Sequence, residues 1–288
     1  MNSVEKMSLF NNKNETVLKT SQVNKKQNKI LERIKEDPFY ILRVKNPTEE
    51  MCITAVQVYP GILSNIENQT SEICLAAVQG HGGALYYVKE QTPEICLAAV
   101  RNVSNALLYV KKQTPKICSE ALLKNLFALR YVKEQTLEMC MDVVSRNGMA
   151  LRFVKEQTPE ICLAAVRQNP NAIKFVREQT LDICMEAIQQ DPWVIKYIKN
   201  QTLEICLAAV KCDVTALLFI KDLYDNVLTE VIKQDPSALR FIRHQTYYLC
   251  LKAALYNINA LEFIHSPELR TEVENGLKLM ASKKTDEI

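Results

Sequence analysis

Cysteine is the residue whose placement in this sequence first invites a chemical reading. Cys52, Cys74, Cys96, Cys118, Cys140, Cys162, Cys184 and Cys206 recur at a fixed step of 22, and Cys250 falls on the same frame two steps later. A row of thiols raises metal ligation or redox exchange. Zinc, however, needs four ligands converging on one point, with paired spacings such as Cys-x2-Cys. The sequence offers single cysteines, and its three histidines, His81, His244 and His265, are scattered. Equivalent cysteines of adjacent repeats would stand one helix-packing distance apart, roughly 8–10 Å. A disulfide needs Cα atoms within about 7 Å. The expectation is free thiols in a reducing compartment, with no metal and no cofactor. Each cysteine then serves as a small apolar residue where helices approach closely, and Leu228, on the same frame, fits that role as a hydrocarbon.

Charge supplies a second candidate. A basic column runs through Lys45, Lys89, Lys111, Lys133, Lys155, Arg177, Lys199, Lys221 and Arg243, and it is doubled three residues earlier by Arg130, Arg152, Lys174 and Lys196. The doubled stretch, Arg130, Lys133, Arg152, Lys155, Lys174, Arg177, Lys196 and Lys199, is the candidate surface for tracking phosphates. Against it stand acidic columns of the same period, one of them Glu90, Glu134, Glu156 and Glu178. Cations near a helix C-terminus also complement the dipole without any ligand, and interleaved opposite charges usually make a solvated face.

A third candidate lies where the repeats differ. The position just inside the second helix runs Phe39, Gly61, Gly83, Asn105, Phe127, Met149, Asn171, Trp193, Thr215, Ser237 and Asn259. Trp193, the single tryptophan, with Phe127 and Met149, is the candidate protein-binding spot, since aromatic anchors dominate interfaces. The competing reading is an aromatic that shields its own seam between repeats. Tyr247 and Tyr248 form a second candidate. The glutamines Gln69, Gln91, Gln113, Gln135, Gln157, Gln179, Gln201 and Gln245 are read as structural, their amides bridging the backbone of consecutive units. No glycine-rich phosphate loop is present, and three dispersed histidines support no Ser/Cys–His–Asp grouping. The expectation is a chain that is not an enzyme.

The elements that position these columns follow from one phrase, Gln91-Thr92-Pro93-Glu94-Ile95-Cys96-Leu97-Ala98-Ala99-Val100, and its copies. Counted from Ile30 to Cys250, the frame makes eleven units, the signature of a solenoid. The Thr is a good N-cap, the Pro is tolerated at the first helical position and the Glu complements the dipole. A second helix starts after Asn or Asp in eight units, among them Asp37, Asn147, Asn169, Asp191 and Asp235, and reads Ala-Leu-x-Tyr/Phe-Val/Ile-Lys. Eight of the ten prolines occupy two frame positions, both at helix starts, which excludes strands. Helices of about nine residues cannot stand alone in water, so stability must come from stacking. The fold expected is an all-α solenoid of about eleven short helix-turn-helix repeats, 22 residues each, closed by a C-terminal capping helix. Its divisions are a polar tail over 1–28, the array over 29–265, and the capping helix with a polar end over 266–288. Leu269, Val273, Leu277 and Met280 form the apolar stripe of that last helix. The unit at 223–244, where Leu223-Tyr224 replaces Gln-Thr, departs most from the phrase.

Composition bounds the rest. With 48% apolar residues among 288, a continuous core is feasible, and 36 basic against 33 acidic residues give no excess pointing to nucleic acid or membrane. No run of 18 apolar residues argues for a membrane span, and residues 1–28 lack the apolar centre of a signal peptide.

The phrase Gln-Thr-Pro-Glu-Ile-Cys-Leu-Ala-Ala-Val, followed by Ala-Leu-x-Tyr-Val-Lys-Glu-Gln-Thr, resembles an uncharacterised 22-residue repeat family, domain of unknown function 4116, of giant amoeba-infecting viruses of the mimivirus type. The resemblance covers about residues 29–265. It implies a viral protein acting inside the host cell, in cytoplasm or viral factory, and lends no catalytic residue, cofactor or established partner. The leading expectation is a protein–protein interaction scaffold. Nucleic-acid binding through the basic stripe and a structural role in the virion are the alternatives.

Overall fold

The computed structural model describes residues 25–221 and 225–285. Among these the chain is helical without strands, and eleven short 3-10 helices alternate with α-helices. The chain divides into two compact units, one up to Glu134 and one from Gln135. The architecture is the all-α solenoid expected, with one change of helix type.

In the first unit, α1 (25–36), α2 (Glu49–Val58), α3 (Ser71–Gly80), α4 (Pro93–Asn102) and α5 (Pro115–Lys124) alternate with 3-10 helices at Pro38–Arg43, Pro60–Asn65, Gly82–Tyr87, Ser104–Tyr109 and Leu126–Tyr131. From α2 to α5 each α-helix packs on the next, and each 3-10 helix packs on the next 3-10 helix. Two layers result. Helix α1 takes in residues 25–28, assigned to the polar tail by sequence; the rest of that tail lies outside the described residues.

The second unit repeats the pattern with α6 (Leu137–Arg146), α7 (Pro159–Gln168), α8 (Leu181–Gln190), α9 (Leu203–Cys212), α10 (Asp225–Gln234) and α11 (Tyr247–Tyr256). It ends on α12 (Pro267–Thr285), which packs on α11. The departure at Leu223-Tyr224 falls outside the described residues.

Apart from α8, whose Thr180 makes no side-chain capping bond, the α-helices that follow a Thr start as their sequence dictates. The Thr92 hydroxyl accepts from the Ile95 N–H, and Thr70, Thr114, Thr136, Thr158 and Thr202 do the same in their own repeats. Ile95, Cys96, Ala99 and Val100 are buried, while Leu97 and Ala98 are half-buried. A helix apolar on so many sides needs neighbours on both flanks, and α4 has α3 and α5.

The second helix of each repeat is a six-residue 3-10 helix, not an α-helix of nine. Its cap opens the same way wherever the sequence supplies an acceptor: the carboxylate of Asp191 accepts from the Trp193 N–H, that of Asp213 from Thr215, and His81 does so through Nδ1 for Gly83, whereas Tyr59 and Val103 make no such bond. It closes on an extended β-branched residue such as Val88, Val110 or Ile198, whose N–H donates three residues back. That side chain is buried beside the Ala-Leu pair. Burying the Val or Ile in an extended backbone ends the helix before an i→i+4 ladder can form.

Helix α12 is capped by Ser266, whose hydroxyl accepts from the Leu269 N–H. Of its expected stripe, Val273 is buried, Leu269 and Leu277 are half-buried, and Met280 is exposed. Gly276 lets α12 settle against the Tyr247 hydroxyl, since a Cβ there would collide with it.

Candidate interaction surfaces

The glutamine column is a backbone clamp. Gln69 donates from Nε2 to the Leu63 carbonyl of its own repeat (2.9 Å) and to the Tyr87 carbonyl of the next (3.1 Å). Its Oε1 accepts from the Lys89 N–H at 2.9 Å. Gln91, Gln113, Gln157, Gln179, Gln201 and Gln245 make the same three bonds, all serving groups that the short helices leave open. The structural reading of this column follows directly from these contacts.

Five members of the basic column, Lys89, Lys111, Lys133, Arg177 and Lys199, are spoken for in the same way. Lys111 Nζ donates to the Lys89 carbonyl at 2.9 Å, and Lys133 Nζ to the carbonyls of Lys111 (2.8 Å) and Val110 (3.2 Å). In the second unit Arg177 reaches the carbonyls of Lys155 and Val154, and Lys199 that of Arg177. These cations neutralise the negative helix end of the preceding repeat. The Lys155 side chain is exposed. The doubling column lies on rings: Arg130 over Tyr131 at 5.2 Å, Arg152 over Phe153 at 4.5 Å, Lys174 over Phe175 and Tyr197, Lys196 over Tyr197 and Phe219. All four are exposed, so they add charge to a surface whose half-buried aromatics already engage them.

The variable column is partly turned inward. Trp193 is 46% exposed, and its Nε1–H donates to Asp213 Oδ2 (3.1 Å) and Thr215 Oγ1 (3.0 Å) of the next repeat. Its ring lies 6.2 Å from that of Phe219. Trp193 therefore shields a seam and still offers a face to solvent. Hydrogen bonds from the Thr215 side chain and backbone, and to a lesser degree from Trp193, hold the Asp213 carboxyl below the usual range, against the opposing effect of burial. Phe127 and Met149 are half-buried in their own units. Tyr247 carries α12, whereas Tyr248 is exposed, with Lys252 Nζ 4.9 Å from its ring. A hydrogen bond to the Tyr248 hydroxyl raises the Lys252 amine.

The sequence reading missed an exposed aromatic cluster in the first unit. Tyr86 is 66% exposed and stacks edge-on against Tyr87 (5.1 Å) and Tyr109 (5.4 Å), with Leu108, 53% exposed, at the equivalent position one repeat on. The signal was present in the x of Ala-Leu-x-Tyr, which is Tyr86 and Leu108 here but Lys174 and Lys196 in the second unit.

All ten cysteines are free, and only Cys212 is exposed. Burial pushes up the thiols of Cys52, Cys74, Cys96, Cys118, Cys140 and Cys162, and those of Cys184 and Cys250 to about 11, so thiolate is scarce at these positions near neutral pH. Among the described residues no cluster of His, Cys, Asp or Glu is arranged to hold a metal ion, and no helix is long and apolar enough to cross a membrane.

No curated protein and no solved structure matches the chain. One family model does, that of a domain of unknown function, DUF4116, over residues 136–181 and again over 160–203. Residues 136–203 thus match the repeat family DUF4116.

Proposed function

We propose that this chain is a non-catalytic scaffold for protein–protein interaction, acting in the cytoplasm or viral factory of an infected host cell. The observation that carries the reading is the exposed cluster of Tyr86, Tyr87, Leu108 and Tyr109, held on a frame whose own polar groups are satisfied by the glutamine clamps. Aromatic side chains grouped in solvent on a rigid edge are the composition of an interface centre. A frame that repeats while its outward residues change suits recognition of a protein surface better than catalysis.

The test is capture of partners by the tagged chain from amoebal lysate, with and without nuclease, using the wild type, the variant Tyr86→Ala/Leu108→Ala, and the variant Lys174→Glu/Lys196→Glu. A defined protein that survives nuclease and is lost with the first variant alone supports the scaffold. Nucleic acid that co-purifies, is released steeply by salt and is lost with the second variant would overturn it in favour of the cation–ring surface. Recovery of the chain in stoichiometric amounts from purified particles, without a soluble partner, would replace it with a structural virion role.

A further inference from the structure

At one seam of the first unit the clamp is missing. The frame position occupied by Gln69, Gln91 and Gln113 carries Pro47 in the first repeat, and the cation position of Lys89 carries Glu67. A Gln at 47 would donate to the carbonyls of Ile41 and Asn65 and accept from the Glu67 N–H, by the pattern of the other seams. It would also lie beside Cys52, as Gln69 lies 3.9 Å from Cys74 Sγ. With proline there, the seam opens into a cleft of about 490 Å³, and Ile41, Pro47, Cys52, Asn65 and Glu67 all line it. Among the described residues the Glu67 N–H donates to nothing, the Asn65 carbonyl accepts nothing, and the Ile41 carbonyl accepts only from Val44.

We infer that this cleft is a binding site for a primary carboxamide, carried either by a small molecule or by a Gln or Asn side chain of a partner chain. The protein itself supplies the argument. Seven other seams place a carboxamide on the same three backbone groups, two acceptors for its NH2 and one donor for its oxygen. That set selects against a carboxylate, which has no proton to give two carbonyls; the charged lining, Lys45 with Glu49 and Glu67, carries no net positive charge to offset that loss. A methyl ketone or ester satisfies one group of the three.

The probe is propionamide, titrated into the full chain and followed by amide chemical shifts, with propionate as the counter-probe. Millimolar binding is expected for so small a ligand. The Glu67 N–H should be among the most displaced signals, and propionate should bind at least about ten-fold more weakly. Pro47→Gln fills the cleft from within: it should protect the Glu67 amide from exchange and abolish the propionamide response, while Pro47→Ala keeps it. A blocked Ala-Gln-Ala N-methylamide peptide that binds more tightly than propionamide, and than its Met counterpart, identifies a chain-borne amide as the source; equal affinity identifies a free amide. A propionamide response that spares Glu67 overturns the inference, as does one that persists in Pro47→Gln. A Pro47→Gln chain whose Glu67 amide stays unprotected also overturns it, because the cleft is then not carboxamide-shaped.

Discussion

Replacing Gln91 with Leu tests whether the clamp holds the repeats together. Gln91 makes two bonds from Nε2, to Leu85 O at 3.2 Å and Tyr109 O at 3.0 Å, and one to Oε1 from Lys111 N at 2.9 Å. A net contribution of about 0.5–1.5 kcal/mol per bond puts the loss between about 1.5 and 4.5 kcal/mol. Gln91 is half-buried and Lys111 exposed, so water reaches the orphaned groups and the lower half of that range applies, about 2 kcal/mol. Unfolding of a repeat array need not be all-or-none, so the assay is residue-resolved hydrogen exchange. The Lys111 amide should exchange about thirty-fold faster in Gln91→Leu, each ~1.4 kcal/mol being a factor of ten. The Lys89 amide, bonded to Gln69, should change little. Gln91→Glu sets a carboxylate oxygen against two carbonyls, so it should be worse than Leu at neutral pH. It should recover on acidification, because protonation restores a donor and the folded chain favours the protonated acid. Lys111 exchange within two-fold of wild type, or acceleration spread evenly over α2 to α5, would refute the account of the clamp as a local tie.

Two further outcomes are expected. Asp213 titrates below the usual aspartate range in the folded chain, so the stability it contributes is fully present above its unfolded value and is lost as pH falls through the folded one. Fluorescence of Trp193, the single tryptophan, should report that step below the usual aspartate range; Asp213→Asn should remove it, and an unchanged titration in that variant would break the link. An aromatic disulfide reagent should label one thiol of the native chain rapidly, Cys212, and the nine buried thiols only on unfolding. Rapid labelling of several would mean that the α-helical layer opens far more readily than its burial implies.

The period, the Thr caps, the Asn and Asp caps and the burial of Ile-Cys-x-x-Ala-Val were legible because each is written many times over. The type of the second helix was not. Ala-Leu-x-x-Val satisfies an α-helical stripe as well as a 3-10 turn followed by an extended residue, and only the buried direction of Val88 or Ile198 decides. The basic column was legible as charge near a helix end, but the carbonyls that Lys133 and Arg177 reach belong to the preceding repeat, which no local pattern states. Trp193 carried both of its roles in advance, and the bonds to Asp213 and Thr215 depend on a side-chain direction across a seam. Pro47 and Tyr86 were readable as breaks in a column, but what each break exposes depends on contacts across a seam that the column does not state.

The clamp reaches six residues back and eighteen and twenty forward, always in the same register. The clamps, the caps and the buried Ile-Cys-x-x-Ala-Val positions are thus set out modulo 22. Excising or duplicating a whole number of periods inside either unit joins a clamp to the partner it would have met anyway, with the same caps and the same core residues facing each other. Such an edit changes the number of outward positions on offer without asking the core to find a new solution. Shifts of any other length misplace all three bonds at once. Array length is therefore a quantity this fold can alter in single genetic events, and surface repertoire follows from copying and then diverging, one tile at a time.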